Sequence, residues 1–294
     1  MITPRILVTG ASSPLGQAVG KRLRTEQITA VGTIRPSRSS VSLPMFDELL
    51  VIDLENDRSL QQIGGDFEAI IHVAATSYGR PTDLMRVTGL ATEALAQIAI
   101  DVGIKKFVHV SAISVYGRPD VPLLTSHSPI KHSIPYGAAK WAAECYLYNL
   151  RDKISSVSVR SPAIVGSWPT SHKHFLALLL EQLLSKEDNV QVSNPDFLFN
   201  NVIHEDTLAE FLIHLSLSSL VGYRALPVGS LQEHSLKSLV DFMADTVKYP
   251  GRITWDRSSS LPFAIALEEA IEAGFRPISA RQTLERWLHR FLSP

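Results

Sequence analysis

Short apolar runs rich in branched residues alternate along this chain with longer stretches whose apolar positions recur at helical spacing. Ile6-Leu7-Val8-Thr9 predicts the first strand, and helical spacing begins near Leu15. Ala30–Ile34, Leu49–Ile52 and Ala69–Val73 predict three more strands. Residues 82–102 read as a long helix leading into the strand Lys106–Val110. A helix carrying Tyr136 follows, with Pro135 in the first turn, where a missing N–H costs nothing, and then the strand Val157–Arg160. Apolar strands separated by helices predict a parallel sheet covered on both faces, a doubly wound α/β fold.

After Pro162 the alternation loosens. Helices are expected at 175–184, 205–217, 236–247, 262–273 and 281–291. They read as a smaller, mainly helical lobe over the strand ends, where open α/β sheets bind their ligands. The expected sheet domain is 1–165, continued by about 200–229, and the substrate lobe is 166–199 with 230–294.

Composition narrows the class. With 294 residues, 45% hydrophobic and 19% charged, the chain suits a soluble globular protein. A net charge of −1 gives no electrostatic case for nucleic acid or an anionic membrane. The lone Cys145 excludes an internal disulfide framework and fits a reducing compartment; it is expected to be buried and unreactive. Phe175–Leu184, the most apolar run, is too short to span a bilayer, and no secretory pattern stands before Arg5, so a cytoplasmic location is expected.

The first strand runs into Thr9-Gly10-Ala11-Ser12-Ser13-Pro14-Leu15-Gly16. Such a turn brings backbone N–H groups and a helix N-terminus to a diphosphate, with Gly10 allowing the tight turn and Gly16 close packing. Ser13 stands where the fingerprint's middle glycine is usual. The plain alternative is an ordinary strand–helix turn; position on the first strand favours the dinucleotide. The second strand ends at Arg35, with Arg38 nearby, where an acid would hold the ribose of NAD. Guanidinium groups suit a 2′-phosphate, so NADP is favoured over NAD, against the alternative of two solvated loop charges. Asp53-Leu54 ends the third strand, at a place to meet the adenine or simply to turn the chain.

Tyr136 and Lys140 lie four residues apart, on one face of their helix. A tyrosine near its ordinary pKa is a poor base at neutral pH, and a neighbouring ammonium favours the phenolate. The pair therefore reads as a poised proton acceptor or donor.

Taken in order, these motifs resemble the extended short-chain dehydrogenases/reductases, specifically the NAD-dependent epimerase/dehydratase family. The resemblance runs from Thr9–Gly16 through Asp53-Leu54, Ile71-His-Val-Ala-Ala75, Phe107–Ser111, Val115-Tyr-Gly117, Tyr136/Lys140 and Arg160-Ser-Pro162 to Asn201–Asp206 and Ala273–Pro277. It implies a Rossmann-type sheet and hydride transfer to or from a nicotinamide. Tyr136 would be the general acid/base, and Lys140 would lower its pKa and bind the nicotinamide ribose. Ala74, Ala75, Thr76 and Val110 would line the cofactor, and Pro162, Ala163 and Ile164 would border the nicotinamide. A homodimer paired through the long helices is also implied.

Three positions depart from the family pattern. Ala112 stands where the family has the serine or threonine that orients the reacting carbonyl. If the chain stays extended, residues 112 and 114 share a side, which makes Ser114 the substitute and Ser111 the runner-up. Thr88 replaces a frequent asparagine. Asn200 stands where nucleotide-sugar epimerases often place an arginine on the substrate diphosphate, with His172, Lys173 or His174 as possible compensators. No metal is expected, because His172-x-His174 lacks further ligands at metal spacing. The functions in view are an NAD(P)-dependent epimerase or ketoreductase of a sugar, with a nucleotide sugar favoured; a reductase of another small carbonyl compound; and a dinucleotide-binding sensor with little catalysis.

Overall fold

The structure, a computed structural model, describes residues 3–131, 134–167, 174–256 and 262–292. Strand β1 (Arg5–Thr9) enters helix α1 (Pro14–Thr25), which returns the chain to β2 (Thr29–Ile34) and β3 (Glu48–Val51). A single turn, α2 (Asp57–Leu60), precedes β4 (Ala69–His72). The expected long helix begins as α3 (Pro81–Leu84), widens to a π-turn over Met85–Leu90 and continues as α4 (Ala91–Asp101). Gly89 lies in that turn, and an added Cβ would meet Met85 Sδ at 2.9 Å and Ala139 O at 3.4 Å. The wider turn is thus packed against the later helix that carries Ala139.

Next come β5 (Lys106–Ala112), the two-residue β6 (Leu123–Leu124), α5 (Pro135–Asn149), β7 (Ser155–Ser161) and β8 (Ala163–Val165). The later chain contributes α6 (Phe175–Ser185), β9 (Asn189–Ser193), β10 (Val202–His204), α7 (Glu205–Ser216), β11 (Tyr223–Pro227), α8 (Leu236–Thr246), β12 (Arg252–Asp256), β13 (Ala264–Ile265), α9 (Glu268–Glu272) and α10 (Ala280–Leu292).

Seven strands form one parallel sheet in the order β11-β7-β5-β4-β1-β2-β3. The Rossmann-type sheet expected from the alternation is present. Its strands are apolar on both sides because both sides are covered. One face packs Ile6, Val8, Val108 and Val157 with residues of α1, α7 and α9; the other packs Leu7, Ile70 and Phe107 with Leu95, Ala99 and Leu147. A second core gathers Leu180, Leu183, Val190, Leu239, Met243, Leu284 and Trp287 around the β9–β12 pair. No helix among the described residues is long and apolar enough to cross a membrane.

The helix expected over 262–273 is replaced by β13 and the short α9. Backbone groups there are already taken: β13 pairs with β6, and Ile265 N and O are both held by the side chain of Asn200. A segment whose N–H and C=O groups are drawn outward cannot close an intrahelical ladder.

Candidate active site

The turn after β1 is built by Gly10, Ser13 and Gly16. Gly10 has φ +70°, and a Cβ there would lie 2.9 Å from Ala74 Cα and N, so the turn presses against the end of β4. A Cβ on Gly16 would collide with Gly10 O. Ser13 serves the turn itself: its hydroxyl donates to Gly10 O at 2.8 Å and accepts from Gly16 N at 3.1 Å, capping α1. Pro14 occupies the first helical position. The N–H groups of Ser12 and Leu15 have no partner among the described residues. Two open donors at the N-terminus of a 12-residue helix, against a wall that excludes any Cβ, fit a diphosphate.

The other expected cofactor positions follow the C-terminal ends of strands of the same sheet. Thr9 Oγ1 accepts from Ala74 N at 3.2 Å and bonds His72 Nδ1 at 2.7 Å, joining the ends of β1 and β4. Thr76 exchanges hydrogen bonds with Thr88, donating N–H to its Oγ1 at 3.3 Å and accepting at O at 3.2 Å. Thr88 therefore ties the loop holding Ala74, Ala75 and Thr76 to the π-turn. At the end of β3, Asp53 Oδ1 accepts from Glu55 N at 3.0 Å, and Leu54 packs against the core. Pro162 is buried where β7 gives way to β8, which carries Ala163 and Ile164.

Tyr136 and Lys140 stand in the first turns of α5, and their environments differ from the simple expectation. Tyr136 is half-buried, its hydroxyl has no hydrogen bond among the described residues, and burial pushes its phenol up to about 12. Lys140 is 1% exposed. Its Nζ donates to Val110 O at 2.5 Å and meets His109 Nε2 at 3.4 Å. Burial brings the ammonium down to about 7, with Glu144 opposing the shift. The lysine thus directs its charge to the sheet, and it does not lower the Tyr136 pKa in this arrangement. Desolvation is the first cause of both shifts.

The two candidate hydroxyls separate clearly. Ser111 is 2% exposed, and its Oγ donates to Glu144 Oε1 at 2.5 Å. Glu144 also receives Arg160 Nη2 at 2.7 Å and Tyr223 Oη at 3.2 Å, so Ser111 belongs to a buried charge cluster behind the strand. Ser114 reaches its place by another route than strand alternation. The chain leaves the extended form after Ala112 and makes a 3-10 turn over Ile113–Tyr116. That turn abuts α5 so closely that a Cβ on Gly137 would collide with Ser114 O. Ser114 Oγ is buried and without a partner.

Asn200 is turned to the backbone of β13. It is 1% exposed, its amide donates to Ile265 O at 2.8 Å, and its carbonyl accepts from Ile265 N at 3.0 Å. Both polar atoms are consumed in fixing β13. His174 caps α6, its Nδ1 accepting from Ala177 N at 3.3 Å. His172 and Lys173 lie outside the described residues.

Two features went unnoticed in the sequence. One is the Arg160–Glu144 pair, 4% and 0% exposed at the side chains. The other is a row of polar residues in register across four strands, Thr9, His72, His109 and Ser158. Their signal was present: each is a polar residue inside an apolar run that a two-sided sheet must bury.

Comparison with known proteins agrees with this geometry. Residues 6–201 match the NAD dependent epimerase/dehydratase family. UDP-glucose 4-epimerase of Rhizobium meliloti is 28% identical over 211 residues, which cover 63% of this chain and 63% of that one. UDP-glucose 4-epimerase of Thermotoga maritima, solved with UDP-glucose, shares the fold with a TM-score of 0.80 at 18% identity over 98% of each chain. MoeE5 in complex with UDP-glucose and NAD gives a TM-score of 0.79 at 20% identity, again over 98% of each chain. A second MoeE5 complex holds UDP-glucuronic acid and NAD.

These NAD complexes correct the expectation of NADP drawn from Arg35 and Arg38. Both guanidinium groups stand exposed, in and before a short 3-10 turn, with no ion pair or hydrogen bond among the described residues. With the glycine turn, the sheet and the family match all in agreement, the chain belongs to the NAD-dependent epimerase/dehydratase family and is an epimerase/dehydratase-type oxidoreductase or isomerase.

Proposed function

We propose that this protein is an NAD-dependent epimerase or ketoreductase of a nucleotide sugar, with Tyr136 as its general acid/base. The observation that carries the reading is the buried, unpartnered hydroxyl of Ser114, on a 3-10 turn that abuts α5 at Gly137, the residue next to Tyr136. The Tyr136 phenol, on that same helix, has no hydrogen-bond partner among the described residues either. Buried polar groups are normally satisfied, so an orphaned hydroxyl on the turn against this helix suits a substrate oxygen. Related proteins bind or act on UDP-sugars, which supplies the substrate class.

In this reading the N–H groups of Ser12 and Leu15 hold the diphosphate of NAD, and Gly10 and Gly16 keep the approach open. When bound, the dinucleotide supplies and recovers the hydride. Tyr136, protonated at neutral pH, gives its proton to a substrate carbonyl oxygen or takes it back from the alcohol. Ser114 donates to the same oxygen and orients it. The second core around α6, α8 and α10 forms the substrate lobe, and two copies pair through α4 and α5.

The test uses purified protein with NAD and UDP-glucose, following UDP-galactose formation and absorbance of reduced nicotinamide. Tyr136→Phe removes one oxygen and is expected to lower turnover by about 10²–10⁴ while leaving NAD affinity unchanged. Near-normal turnover in that variant removes Tyr136 from the mechanism.

A further inference from the structure

His72, at the end of β4, is fully buried, and both its ring nitrogens are engaged. Nδ1 lies 2.7 Å from Thr9 Oγ1, and Nε2 lies 3.0 Å from Thr92 Oγ1. Burial, then Lys140, keeps the ring neutral, so one nitrogen carries a proton and the other a lone pair. His109, stacked on it at 5.9 Å, is neutral as well, held well below its ordinary pKa by burial and then by Lys140 and His72. Thr92 decides which nitrogen of His72 holds the proton. Its one hydroxyl proton goes to Thr88 O at 2.7 Å, and a carbonyl can only accept. Thr92 Oγ1 therefore accepts from His72, whose proton sits on Nε2. Nδ1 is left to accept, so Thr9 donates its hydroxyl proton there, and Thr9 Oγ1 in turn accepts from Ala74 N at 3.2 Å. Reversing any link would leave a buried group without its partner.

The two ends of this chain of bonds lie at different parts of the site. Thr9 precedes Gly10, and Ala74 is the wall whose Cα and N lie 2.9 Å from where a Gly10 Cβ would stand. Thr92 lies in the first turn of α4 and holds Thr88 of the π-turn, which packs against α5 at Ala139, the residue before Lys140. We propose that His72 is a positioning residue for the dinucleotide: in its Nε2–H form it joins the wall of the Gly10 turn, through Thr9, to the π-turn beside α5, through Thr92. The bonds set Ala74 against Gly10, and with it the turn whose N–H groups meet the diphosphate. They also hold that turn in one frame with the helix carrying Tyr136 and Lys140. This role rests on the reading of the Gly10 turn as the diphosphate site of NAD.

The test has two arms, both on the full chain. Long-range ¹⁵N–¹H correlation spectra of protein carrying ¹⁵N-histidine, with His72→Asn for assignment, show which ring nitrogen is protonated and need neither NAD nor sugar. His72 is expected in the Nε2–H form; an Nδ1–H or charged ring overturns the proposal. The second arm measures the NAD dissociation constant by calorimetry in wild type, Thr9→Val, Thr92→Val and the double variant, at a temperature where each is folded. Thr9 and Thr92 meet opposite nitrogens of the ring, so His72 is what couples them. Each single variant is expected to weaken NAD roughly tenfold. The double variant is expected to lose no more than either single one, because one broken link already frees the turn. A merely structural role would lower the melting temperature of all three variants without that pattern of affinities. Losses that multiply to about a hundredfold, or affinities that do not change, overturn the positioning role while NAD binding itself stands. Wild type that binds no NAD overturns the reading of the turn, and the positioning role with it.

Discussion

Lys140 sits with one neutral imidazole and one carbonyl for company, in a place where charging it is unfavourable. Its pKa near 7 lies below the ordinary lysine value of 10.5, so between those two pH values the unfolded chain binds more protons than the folded one. By linkage, stability rises with pH through that window. Below it both states are charged and the folded state bears the full desolvation cost; above it both are neutral and the cost is gone. Lys140→Met has similar length and no charge. The difference in melting temperature, wild type minus variant, is therefore expected to increase from pH 6 to pH 10. A difference that is flat or declines with pH would mean that the ammonium is well solvated or firmly paired in the folded protein. The buried His72, held down to about 3 by burial and then by Lys140, acts in the acid range. Its unfolded form gains a proton first, so stability is lost as pH falls from about 6.5 toward 3.

At the scale of elements, α5 is fastened to β7 by Arg160 and Glu144, with Tyr116 and Tyr223 completing the cluster. Arg160 donates to both oxygens of Glu144 and to Tyr116 Oη at 2.9 Å. Removing one charge of such a pair leaves the other buried without compensation. Glu144→Gln should cost about 3–5 kcal/mol in a denaturant titration. A loss indistinguishable from zero would mean that water reaches Arg160. The order of these elements was legible in the sequence, because strands covered on both sides are apolar and helices are periodic. The turn residues were legible too, since a glycine turn after a first strand has few other uses. What the sequence did not show was direction. Ser111 and Ser114 differ by three positions, and only the 3-10 turn after Ala112 determines which hydroxyl is spent on Glu144 and which is left open. Asn200 looked like a lost phosphate ligand because its backbone-clamping partner, Ile265, lies 65 residues away. Arg35 and Arg38 were over-read for a related reason: a charge in a loop has no fixed target until something holds it.

Among the described residues, β8 and β10 join the core on the α1 face of the sheet to the second core. Side chains on a strand alternate between faces, so neighbouring residues of this pair serve different cores. Val165 and Val202 pack into the second core, while Ile164 and Ile203 pack against the sheet core. Asn200, one turn of chain before β10, pins β13 to the same junction, and Arg290 from α10 pairs with Glu205 at the start of α7. Two cores sharing one ladder cannot easily lose one and keep the other. The chain should unfold in a single calorimetric transition. On the proposed placement of NAD at the α1 end of the sheet, its binding should then stabilise the second core as fully as the first. At a free concentration of a hundred times its Kd, it adds about 2.7 kcal/mol to the whole transition. Calorimetry with and without NAD checks this, with intrinsic fluorescence separating the regions: Trp287 lies in the second core and Trp141 in α5. If the two regions melted apart and NAD shifted only the sheet's transition, the β8–β10 ladder would be a hinge and not a shared wall. In that case the second core would be free to move independently of the sheet.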